Sequence, residues 1–170
     1  TGIGLGESYV TVRASDGKDS TETTFRVVVQ EDTNWLMPVT VQFDSSRIFD
    51  LVIGGHEQAL DGHDPFDVLS PPAPPAGPYA LLVDTTWNTP SGYDTDRRRW
   101  MAPFDSAATW TLVISGADTD TSLIVWDPAD LPSFGNFALK SGDTVIDLRT
   151  EREFPFVGSG EIEFIYAGFK

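Results

Sequence analysis

The 170 residues contain no cysteine. That excludes disulfide staples, zinc–thiolate centres and thiol nucleophiles. Histidine is nearly absent too: His56 and His63 are the only two, too few for a multi-histidine metal centre. No apolar run approaches the roughly 18 residues that a membrane-spanning helix needs. Positive charge is scarce, with 11 Lys and Arg against 26 Asp and Glu, a formal charge of −15. Phosphate-rich nucleic acid and anionic lipid repel such a chain, so neither nucleic acid nor membrane insertion is an expected partner. Catalytic signatures are missing as well: no Gly-x-Ser-x-Gly elbow, no Walker loop, no His-Glu-x-x-His. Gly2-Ile3-Gly4-Leu5-Gly6 precedes a strand pattern rather than opening a helix. The expectation is a protein that is not an enzyme.

What the chain does have is β rhythm. It is 40% hydrophobic, enough to build a core. Tyr9 to Ala14 and Thr23 to Val29 are rich in β-branched and aromatic residues around an Asp16-Gly17 turn, which predicts a hairpin. A two-stranded hairpin is marginal alone. Residues 1–32 therefore read as the remnant or extension of another domain, or as a unit that pairs through an open edge. Residues 33–170 read as a second module. Strands are predicted over 39–43, 47–54, 79–83, 109–115, 122–126, 137–140, 144–147 and 161–166, with Gly and Asp turns between them. No segment sustains a helical period. The prediction is all-β: an immunoglobulin-like or jelly-roll-like antiparallel β-sandwich with an extra N-terminal β-hairpin.

Two stretches break this rhythm. Residues 54–78 are rich in Gly, Asp and Pro and end in Pro71-Pro72-Ala73-Pro74-Pro75, which favours an extended polyproline-like path. A loop this long is usually functional or tied down. Residues 89–103 are polar and charged, and are predicted to be irregular.

Three constellations are candidates for binding. Asp61, Asp64 and Asp67 lie on the Gly-containing loop and could wrap Ca²⁺, which takes six to eight oxygen ligands. The alternative is that they cap turns through neighbouring backbone. Arg97, Arg98 and Arg99 could pair with acidic loops of the same module or dock an acidic partner. Of the five tryptophans, Trp110 and Trp126 lie in strand patterns and belong to the predicted core. Trp87, Tyr93 and Trp100 fall in or beside the irregular stretch and could form a platform for a polysaccharide.

The hairpin, with its Ala14-Ser15-Asp16-Gly17 turn and Thr24-Phe25-Arg26-Val27-Val28-Val29 strand, resembles the last two strands of cadherin-like and PKD-like immunoglobulin-type repeats. The remainder resembles a module found near the C-terminus of large secreted bacterial surface proteins. Its carriers are Asp61-Gly62-His63-Asp64 with the proline run, Asp96-Arg97 leading to Trp110-Thr111-Leu112-Val113, and Leu123-Ile124-Val125-Trp126-Asp127 with Val145-Ile146-Asp147-Leu148-Arg149. The resemblance implies a non-catalytic structural or adhesion module at the cell surface or outside the cell. Its partners would be neighbouring domains or subunits of a surface assembly, such as a filament built by strand pairing. The chain begins with Thr and shows no signal-peptide pattern, which reads as a mature or excised piece.

Overall fold

The computed structural model describes residues 6–29, 34–84, 91–99, 107–117, 120–133 and 135–167. The chain separates into two compact units, residues 1–32 and 33–170.

The first unit is the hairpin, β1 (Gly6–Ser15) against β2 (Ser20–Val29). Its turn is closed by the Asp16 carboxylate, which accepts the N–H groups of Lys18 and Asp19, both at 2.8 Å. Gly17 takes φ +90°, a conformation that a side chain would oppose. The register sets Val10 opposite Phe25 and Val12 opposite Thr23. Opposed residues share a face, and Val10, Val12 and Phe25 are all exposed there.

The second unit is all-β, with one short 3₁₀ turn among its described residues, at Pro128–Asp130. Its strands are β3 (Trp35–Gln42), β4 (Ile48–His56), β5 (Val68–Leu69), β6 (Tyr79–Asp84), β7 (Ser91–Arg99), β8 (Ala107–Ser115), β9 (Thr121–Trp126), β10 (Asn136–Ser141), β11 (Thr144–Asp147), β12 (Glu153–Val157) and β13 (Gly160–Ala167). They form one sheet in the order β11-β10-β13-β8-β6-β7-β4-β3-β9-β12, with β5 added to β7. β4 and β7 run parallel, and the other pairs are antiparallel.

This long sheet curls until its two halves face each other. Trp35 of β3 meets Trp110 of β8 and Phe137 of β10 edge to face, at 5.5 and 5.3 Å between ring centroids. The end strands β11 and β12 are consecutive in sequence, so residues 148–152 bridge the two ends of the sheet. Leu148 plugs that end: it is fully buried, and its carbonyl accepts the Trp126 indole N–H at 2.9 Å. The core also contains Met37, Leu51, Ile53, Leu82, Leu112 and Ile162, all fully buried.

Two expectations need correction. The stretch 89–103 is not irregular throughout, since Ser91–Arg99 is the strand β7. Nor is the sheet purely antiparallel, because β7 lies alongside β4 in the same direction.

Candidate functional site

The parallel pair β4–β7 holds along only part of its length. Val52 pairs with Thr95, and pairing continues to His56 with Arg99. N-terminal to Val52, β4 keeps its partner β3 but has left β7. The β3–β4 register shows which way the backbone points there. The Phe43 N–H donates to the Arg47 carbonyl at 3.0 Å. Hydrogen-bonded and non-hydrogen-bonded pairs alternate along an antiparallel ladder, so Phe49 and Leu51 bond to β3. Ile48 and Asp50 then direct their N–H and C=O groups to the opposite side. No strand pairs with them on that side among the described residues. Pro38 fits the same register: opposite Val52, its missing N–H faces away from β4.

The gap beside β4 is a groove of about 420 Å³. Its walls are residues 48–51 of β4, residues 70–74 after β5, and residues 79–81 of β6, with Asp94 of β7. β5 also lies against β7: Val68 pairs with Thr95, Leu69 with Tyr93, and the Ser70 N–H donates to the Gly92 carbonyl at 2.9 Å. The Ser70 hydroxyl bonds the Asp94 carboxylate and pins the start of the proline run. Pro71, Pro72 and Pro74 then pass along the groove. None of them has an N–H, so none can donate to the open edge of β4. Asp50 accepts the Thr40 hydroxyl at 3.0 Å.

The aspartates of the 54–78 loop serve its own backbone. The Asp64 carboxylate accepts N–H groups from Leu60 and Phe66, at 2.6 and 2.7 Å. Asp67 accepts N–H groups from Asp64 and, across to β7, from Arg97, both at 2.9 Å. Asp61 is exposed and contributes its backbone carbonyl to the Arg98 guanidinium at 2.7 Å. Thus Asp64 and Asp67 come together, and Asp61 joins through its main chain. Among the described residues no three His, Asp or Glu side chains are grouped to hold a metal ion.

Of the aromatic platform residues, Tyr93 is only 1% exposed and its ring stacks on His63, so neither face is open to a sugar. Trp87 and Trp100 lie outside the described residues. The arginine triplet divides. Arg97 lies over the Phe66 ring, Arg99 is exposed, and Arg98 is buried between Asp84 and Asp96.

The chain matches no family model, no curated protein and no solved structure.

The Arg98 knot has one cation and two buried carboxylates. Burial pushes Asp96 up to about 6, against the attraction of Arg98, with the charges of Asp67 and Asp84 adding to the rise. Asp67 is also raised, by burial first, against the two N–H groups it accepts. The folded state therefore binds a proton at Asp96 more readily than the unfolded chain does. Between the unfolded value near 4 and the folded value near 6, stability falls as pH rises. An Asp96→Asn variant removes this slope. Relative to that variant, the wild type is expected to lose about 3 kcal/mol between pH 3.5 and 7. Urea denaturation of both proteins across that range measures it, and parallel pH profiles would refute it.

Sequence reasoning missed Ile48, Asp50, Ser70 and Asp94. The one signal present was the proline run, a segment without donors placed beside strand sequence.

Proposed function

We propose that this chain is a non-catalytic structural or adhesion module of a secreted or cell-surface protein, and that it engages a partner by strand pairing. The observation that carries the reading is the open edge of β4. Ile48 and Asp50 aim backbone donors and acceptors into a groove, and three of the five residues in the segment lining its other side, Pro71, Pro72 and Pro74, have no N–H to donate. An exposed strand edge is a ready template for another chain. Backbone groups supply the affinity in such pairing, and side-chain pockets supply the selectivity.

Two further features support it. The groove's walls are apolar at Ile48, Phe49, Tyr79 and the prolines, which suits an extended segment with alternating side chains. The hairpin unit also exposes an apolar face at Val10, Val12 and Phe25, as expected of an element that is covered in an assembly.

Amide hydrogen exchange tests the open edge directly. The Phe49 and Leu51 amides, bonded to β3, are expected to exchange at least ~100-fold more slowly than those of Ile48 and Asp50. Equal protection at all four positions would mean that the edge is already closed, and the reading would fall.

A further inference from the structure

The groove has a charge of one sign. Asp50 and Asp94 are its two ionisable carboxylates, and no Lys, Arg or His stands among its described lining residues. From these features, and resting on the strand-pairing reading, we infer that the groove takes an extended peptide of a different protein that alternates apolar and basic residues.

The backbone dictates the extended form. Along β4, Ile48 and Asp50 offer main-chain groups at alternate positions, a spacing that matches alternate residues of an added strand. An added strand would therefore be short and its pairing weak without help from side chains. Side chains of β4 alternate between faces: Leu51 and Ile53 point into the core, while Ile48 and Asp50 lie on the exposed face. A residue opposite Asp50 on the added strand falls on that same face. Opposite charges at such a cross-strand position stabilise pairing, and like charges oppose it. Asp50 and Asp94 each accept one hydroxyl, from Thr40 and Ser70. A carboxylate has room for about four hydrogen bonds, so each can also accept an ammonium or guanidinium.

The charge of the whole chain selects the source. At −15 it attracts a basic peptide over a long range. The same charge repels a second copy of this chain, which would bring a further −15 to the interface. An apolar peptide without charge would fill the walls yet leave both carboxylates facing it without compensation.

The test uses the full chain, labelled with ¹⁵N and titrated with blocked pentapeptides. Val-Lys-Val-Lys-Val is expected to move the Ile48 and Asp50 amide signals and slow their exchange. Val-Thr-Val-Thr-Val is expected to bind the same amides about three- to tenfold more weakly, and Val-Glu-Val-Glu-Val to leave them unmoved. The lysine preference should shrink as salt is raised. Asp50→Asn should abolish most of that preference, bringing the lysine and threonine peptides to similar affinity, and a ¹⁵N spectrum of the free variant checks that it remains folded.

Equal affinity for the lysine and threonine peptides would overturn the basic partner but leave strand pairing standing. No response to any of the three peptides would overturn strand pairing itself. Undiminished binding of a lysine peptide with N-methylated backbone would reduce the interaction to charge alone and overturn the added strand. Protection of Ile48 and Asp50 that grows with protein concentration, without peptide, would assign the groove to a second copy and overturn the proposal.

Discussion

Replacing Arg98 with methionine is expected to destabilise the second unit by about 3–5 kcal/mol, a large part of the stability of an ordinary domain. The guanidinium donates to the Asp96 carboxylate and to the Asp61 carbonyl, each at 2.7 Å, and lies 3.7 Å from Asp84. Methionine keeps much of the side chain's bulk but leaves two buried carboxylates with no cation between them. Leaving a buried charge uncompensated costs far more than the net worth of the pair. The loss should shrink as pH falls toward about 6, because Asp96, already pushed up by burial and pushed further without Arg98, takes up a proton and its stranded charge disappears. Adding Asp84→Asn and Asp96→Asn to the methionine variant should restore most of the stability. Urea denaturation followed by near-ultraviolet circular dichroism reads all three results. A cost below about 1 kcal/mol at neutral pH would show that the knot is solvated and contributes as a surface pair does.

Trp110→Ala should cost a similar amount, about 3–5 kcal/mol. Trp110 is fully buried where the two halves of the curled sheet meet, with Trp35 edge-on against it. Its indole N–H donates to the Asp96 backbone carbonyl at 3.1 Å, which ties the aromatic core to the strand that carries the ionic knot. Alanine would leave a cavity and remove that hydrogen bond together. Trp110→Phe should cost less, about 1–3 kcal/mol, since it keeps the ring and loses the hydrogen bond. Thermal unfolding separates the two variants, and equal losses would mean that packing contributes nothing beyond the hydrogen bond. The two sites share Asp96, so Arg98→Met and Trp110→Ala are expected not to add.

Strands with one buried and one open face were legible because their side chains alternate. Thr109 to Ser115 and Glu161 to Tyr166 were predicted nearly in full, and both alternate between buried and half-buried positions. β3 begins at Trp35 rather than at residue 39 because Pro38 is tolerated where its nitrogen faces away from β4. β12 was missed for a related reason: Pro155 lies inside it, acceptable on an end strand paired only to β9. β7 was hidden by chemistry and by geometry. Asp96 and Arg98 are buried as a pair, which no hydrophobic pattern reveals. Tyr93 and Asp96 are both buried three positions apart, and the register against β5 shifts beside them. A period of two cannot survive such an irregularity.

The sequence by itself determined the all-β class, the N-terminal hairpin with its Asp16-Gly17 turn, the absence of thiol chemistry and the strong negative charge. Each of these follows from composition or from neighbours along the chain. Only the tertiary structure decided where Asp64 and Asp67 send their carboxylates, that Arg98 lies buried between Asp84 and Asp96, and that Tyr93 belongs to the core. It also decided the open edge at Ile48 and Asp50. That edge exists because β4 and β7, more than forty residues apart, pair from Val52 onward and separate before it. Alternation tells a strand which face to bury, but the partner along each edge is chosen by the packing of the whole sheet.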